Sequence, residues 1–90
     1  MVVHYNVIVK GKVQGVAYRA SAIDMAIRLG VNGFVKNNRD GSVSCEIEGE
    51  EEMLHRFIQW CHHGPERAEV EHVSITEGDV RGYTSFEMRM

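Results

Sequence analysis

The feature that most constrains this chain is a change of hydrophobic period that occurs twice. Apolar residues alternate in steps of two, as on a half-buried strand, then recur at helical spacing, then return to alternation. Val3, Tyr5, Val7 and Val9 fall on one face of a first strand that ends at Gly11. From about Tyr18 to Leu29 the period becomes helical through Ala22, Ile23, Ala26 and Ile27, and Gly30 stands where a left-handed residue would close the helix. Residues 31–36 read as a second strand. Val43, Cys45 and Ile47 alternate against Ser44, Glu46 and Glu48 in a third, which Gly49 is expected to close. Between the two, Asp40-Gly41 tolerates the positive φ angles of a tight turn, so an antiparallel hairpin is expected. A second helical stripe of Met53, Leu54, Phe57, Ile58 and Cys61 follows Glu50, Glu51 and Glu52, placed where a helix dipole favours negative charge. Gly64-Pro65 stops it. Residues 70–76 read as a fourth strand, and a short last strand carries Phe86 and Met88 on one side.

This order is β-α-β-β-α-β with an added C-terminal strand, the split β-α-β or ferredoxin-like pattern. It predicts an α+β sandwich: an antiparallel sheet of four to five strands with two helices on one face. Ninety residues are too few to divide between two cores, so a single domain over residues 1–90 is expected. That architecture serves RNA-binding, metal-carrying, regulatory and catalytic proteins alike, and function has to be argued from a site.

Composition narrows the classes. With 43% hydrophobic and 26% charged residues, the chain is neither disordered nor a collagen or disulfide scaffold. No apolar run approaches the roughly 18 residues that cross a bilayer, and the N-terminus lacks the layout of a secretory signal. Cys45 and Cys61 have no metal or redox spacing and read as reduced core residues, so a cytoplasmic setting is expected. The net charge of −3 conceals an asymmetry. Residues 1–41 hold six basic and two acidic side chains, net +4, while residues 42–90 hold four basic and eleven acidic, net −7. A basic half with few carboxylates suits a small anion, and the long basic stripe of a duplex binder is missing.

The bridge between first strand and first helix, residues 11–19, is the most unusual stretch. Gly11 and Gly15 allow a tight turn, and successive N–H groups running into a helix N-terminus form an anion cradle. Arg19 in the first helical turn adds a planar fork that can hold two phosphate oxygens. The same glycines also suit a plain turn with Arg19 as a surface charge, and both readings stand at this point. At the end of the second strand, Asn37 is able to donate from its amide and accept from a water through its carbonyl oxygen, orienting the water without deprotonating it. Asn37 and Asn38 are equally suited to a turn before Asp40-Gly41.

Lys10-Gly11-Lys12-Val13-Gln14-Gly15-Val16-Ala17-Tyr18-Arg19 and Gly33-Phe34-Val35-Lys36-Asn37, continuing into Asp40-Gly41-Ser42-Val43, resemble the two signature segments of the acylphosphatases. Gly64-Pro65, then Ala68, Val70, Val73 and the late Phe86, resemble the second half of that family, so the resemblance covers essentially the whole chain. It implies hydrolysis of a carboxylic–phosphoric anhydride, such as acetyl, benzoyl or glyceroyl phosphate, to a carboxylate and phosphate by a small monomer without metal or cofactor. By position it makes Arg19 the phosphate-binding arginine, Asn37 the water-positioning asparagine, and the backbone of Lys12, Val13, Gln14, Gly15 and Val16 the cradle. Ala17 stands where bacterial members commonly have Gly and Tyr18 where Phe is usual, both mild departures. Asn38 and Arg39 fall where members vary and receive no catalytic role. Two alternatives remain beside this: a related phosphate- or carboxylate-binding regulatory module without turnover, and the related domain at the head of large carbamoyl-transfer maturation proteins, against which the short chain argues.

Elementary chemistry fits the resemblance. A loose phosphoryl-transfer transition state needs its equatorial charge stabilised and the nucleophile held in line, which a backbone nest, one Arg and one Asn can supply. The carboxylate leaves readily, its conjugate acid having a pKa of about 4, so no general acid is needed at neutral pH. His62 and His63 project about 100° apart on a helix end and His55 is two turns away, so they read as surface or C-terminal histidines rather than a metal site. The glutamates are explained by strand alternation and helix N-terminal placement. Trp60 and the methionines read as core or edge packing. An RNA-binding sheet would need paired aromatic motifs with basic flanks, and only Tyr5 and Phe34 are offered, so no nucleic-acid partner is expected.

Overall fold

The computed structural model describes all 90 residues. In chain order the elements are β1 (Val2–Lys12), α1 (Tyr18–Leu29), β2 (Asn32–Asn37), β3 (Val43–Glu50), α2 (Glu51–His63), β4 (Glu69–Gly78) and β5 (Phe86–Arg89). Each helix and strand falls where the periodicity places it. The expected close at Gly49 does not occur, because Gly49 pairs with Val3 and Glu50 with Val2, so β3 runs straight into α2.

The sheet order is β4-β1-β3-β2-β5. Four strands are antiparallel, but β5 joins β2 in parallel, with Gly33 opposite Phe86 and Lys36 opposite Arg89. The sheet is therefore mixed. The reason is topological: β4 and β5 occupy opposite edges, and the chain must cross the sheet between them, which returns it running in the direction of β2. Both helices lie on one face, where Val7, Val9, Val35, Cys45 and Ile47 from the strands meet Ala22 and Ala26 of α1 and Leu54, Phe57 and Cys61 of α2. Cys45 and Cys61 are free thiols inside this core, as their composition suggested.

The other face departs from simple alternation. Glu48 was expected to face solvent with Ser44 and Glu46, yet it is only 3% exposed, and its cross-strand neighbour His4 only 2%. The crossing segment 79–85 covers this end of the face. Glu48 accepts from the backbone N–H groups of Arg81, Gly82 and Tyr83, and its Oε2 lies 2.7 Å from His4 Nδ1. The Tyr83 hydroxyl donates to Glu46 at 2.8 Å, while its ring sits edge-on to Phe34. A buried carboxylate is tolerated because four donors replace its water.

Candidate active site

The loop from residue 13 to residue 17 joins β1 to α1. β1 bulges between Lys10 and Gly11, and a Cβ at Gly11 would stand 2.2 Å from the Glu69 carbonyl oxygen, so only glycine lets the strand stay against β4 as it turns away. Val13 and Val16 are buried in the core and pin the loop at two points. With its apolar side chains committed inward, the loop leaves its amides for something else: no backbone carbonyl accepts from the N–H groups of residues 13–17. These donors are held in place by the fold, so an anion does not have to order them on binding.

The start of α1 has the same character. It carries no side-chain cap and no acidic residue in its first turn, and it places cationic Arg19 there. α2, in contrast, has Glu51 and Glu52 in its first turn and His62 and His63 in its last, as its dipole favours. The α1 N-terminus therefore keeps its positive end unneutralised. Ala17, at its entrance, adopts φ 65° and ψ 25°, a left-handed conformation that costs a residue with a Cβ roughly 1 kcal/mol. The departure from glycine at this position is thus a local strain and not a neutral exchange.

Val13, Gly15, Ala17, Arg19, Asn37 and Met88 together line a pocket of about 160 Å³. It brings Arg19 and Asn37 to one place. Arg19 is half-buried and makes no salt bridge with any carboxylate of the protein. Asn37, the last residue of β2, has its Oδ1 buried with no hydrogen-bond partner in the protein. Leaving such an atom unpaired costs about 1–3 kcal/mol. A larger groove of about 420 Å³ lies elsewhere, but Glu48 and Glu50 line it and would repel an anion.

Not every residue of the cradle enters the pocket. Lys12 is exposed at the end of β1, opposite Glu69, and does not line it. The Gln14 side chain turns to the β2–β3 hairpin, and Asn38 is bonded within that hairpin. Arg39 is exposed beside Asn37, again without lining the pocket. Met88 had no signal in the sequence, since it reaches the pocket only through the parallel pairing that sets it opposite Val35. Tyr18 also lines the pocket, and its hydroxyl donates to the Cys61 carbonyl at 2.8 Å, so this departure adds a tie between the two helices.

Comparison with known proteins places the chain in a family. The acylphosphatase family model matches residues 5–88. The acylphosphatase of Geobacter sulfurreducens is 46% identical over 84 residues, covering 92% of each chain. That of Anaeromyxobacter dehalogenans is 44% identical over 88 residues, covering 97% of this chain and 95% of its own. The crystal structure of acylphosphatase from Bacillus subtilis superposes over the whole of both chains with a TM-score of 0.95 at 33% identity. Full-length HypF in its phosphate- and nucleotide-bound form contains a similar fold in 12% of its length, with a TM-score of 0.94 at 25% identity. A match that spans nearly the whole chain, takes in the loop and the strand-end asparagine together, and recurs above 40% identity in two bacterial acylphosphatases makes this chain a member of the acylphosphatase family.

Proposed function

We propose that this acylphosphatase hydrolyses its acyl phosphates without metal, with Arg19 and the loop amides holding the phosphoryl group and Asn37 holding the attacking water. The convergence of Arg19, Asn37 and the unpaired loop amides on one pocket carries the reading. An asparagine amide beside a cationic phosphoryl site can orient a nucleophilic water without deprotonating it.

In the proposed reaction the water oxygen forms a bond to phosphorus as the bond from phosphorus to the acyl oxygen breaks. The electron pair leaves with the carboxylate, and the water protons stay with the phosphate, giving a carboxylate and dihydrogen phosphate. Charge on the three equatorial oxygens is met by Arg19 and by N–H groups that need no rearrangement. The leaving carboxylate is a weak base, so protonation of it is unnecessary at neutral pH. These donors supply the positive charge for which other phosphoryl-transfer sites use magnesium.

All the proposed groups come from one copy of the chain and rest on one continuous core, which supports a single domain acting as a monomer. Two buried free thiols support a reducing, cytoplasmic setting, and no helix is long and apolar enough to cross a membrane. The test is phosphate release from benzoyl phosphate in the presence of EDTA. Release at an undiminished rate is expected, and a requirement for added metal would overturn the proposed mechanism.

A further inference from the structure

We propose that Gln14 is a positioning residue whose side chain fixes the distance between the bound phosphoryl group and the water on Asn37. Gln14 belongs to the loop that carries the phosphate-facing amides, between Val13 and Gly15. Its Nε2 donates to the Asn38 carbonyl at 2.7 Å and to the Ser42 carbonyl at 2.9 Å, both in the hairpin that begins where Asn37 ends β2. The two hydrogens of the amide are thereby used together, and its orientation is settled by its partners, since Oε1 in that place would face two carbonyl oxygens.

The hairpin tip is a closed unit on its own side. The Asn38 Nδ2 donates to Ser42 Oγ at 2.9 Å and Ser44 Oγ at 2.6 Å, and the Asn38 backbone N–H donates to the same Ser42 carbonyl that Gln14 engages. Asp40 Oδ1 accepts from the Ser42 backbone N–H at 2.9 Å and from its hydroxyl at 2.6 Å. The tip is therefore internally rigid, and Gln14 is the side chain that ties it to the loop. The loop is held by buried Val13 and Val16, and Asn37 by its pairing with buried Val43, while residues 39 and 40 of the tip are exposed. Loss of the tie should leave both units folded and let the hairpin, with Asn37 at its base, shift relative to the loop. Displacement of a reacting group by about 1 Å can cost up to 10²-fold in rate, so a single neutral side chain outside the pocket can act on turnover.

The inference rests on the proposed roles of Asn37 and the loop. Its test uses Gln14→Met, which keeps length and removes the donor, and Gln14→Glu, which keeps shape and sets an acceptor against two carbonyls. Each is made in the native chain and in the Asn37→Ala background. For benzoyl phosphate, kcat is expected to fall about tenfold in both variants while competitive inhibition by inorganic phosphate stays within about threefold, and the further loss in the Asn37→Ala background is expected to be under about twofold. A purely structural role would lower the melting midpoint and give the same fractional loss in both backgrounds. Unchanged kcat in the folded variants, a full loss repeated without Asn37, or variants that do not fold would each overturn the proposal. Failure of the native chain to release phosphate in the same assay would overturn the proposed function instead, so the two failures are distinguishable.

Discussion

The Tyr18 hydroxyl donates across 2.8 Å to the Cys61 carbonyl, tying the first turn of α1 to the last turn of α2. That carbonyl is one of the four at the end of α2 that have no partner inside the helix. Tyr18 is almost wholly buried and packs against Trp60, with ring centroids 5.1 Å apart, and burial pushes its phenol well above the ordinary tyrosine range. Tyr18→Phe keeps the ring and strands the carbonyl. It should cost about 1–2 kcal/mol, which for a domain of this size lowers the melting midpoint by roughly 5–15 °C. Calorimetry checks this, and an unchanged midpoint would show that the carbonyl finds a donor elsewhere.

Ala17 holds a left-handed conformation at the mouth of the pocket. Ala17→Gly removes the clash of Cβ with the backbone but gives the unfolded chain more freedom, which offsets part of the gain. The expected net effect is a stabilisation of about 0.5 kcal/mol, read as a rise of a few degrees in the midpoint. Ala17→Val should destabilise by more than about 1 kcal/mol, because a β-branched residue is the least tolerant of positive φ. A midpoint for the valine variant equal to that of the native chain would contradict the strain.

Arg19 and Asn37 should fail differently when truncated. Arg19→Ala removes the guanidinium proposed to hold the phosphoryl oxygens, so inorganic phosphate affinity and turnover are expected to fall together, with kcat/KM lower by about 10³-fold. Asn37→Ala removes the amide proposed to hold the water and leaves the loop amides intact, so kcat should fall by about 10²–10³ while phosphate still inhibits. Steady-state kinetics with phosphate as inhibitor separate the two. Equal loss of phosphate affinity in both variants would refute this division of labour.

The helix-facing side of the fold could be read from the sequence because periodicity reports burial against one partner. Val7, Val9, Cys45 and Ile47 alternate, and Leu54, Phe57 and Cys61 fall on one helical stripe, and all are core. The rear face could not be read this way. Glu48 and His4 look like solvent-facing positions of their strands, and only the segment 79–85, whose path no local pattern encodes, buries them. The site divides similarly. Arg19 and Asn37 are named by motif, and their meeting follows from strand order. Met88 depends on a parallel pairing at long sequence separation, and the brace from Gln14 depends on the direction of one side chain.

Glu48 gives the rear face a pH dependence. Burial pushes its carboxyl up, but the Arg81 N–H, the His4 ring and the N–H groups of Tyr83 and Gly82 outweigh that and hold it below its usual 4.5. The folded state therefore favours the ionised form. Its contribution is complete above about pH 4.5 and is lost as pH falls through the lower folded value, where the unfolded chain binds the proton first. The groups facing this carboxylate from the neighbouring elements are His4 of β1 and the crossing segment, with Glu46 beside His4 at 3.4 Å. Glu48→Gln should lower the midpoint at pH 6, because an amide cannot accept from all four donors, and should flatten the fall in midpoint between about pH 5 and pH 3. Thermal melts across that range decide the matter: a variant whose midpoint falls as steeply as that of the native chain would show that other carboxylates, not Glu48, set the acid limit of the fold.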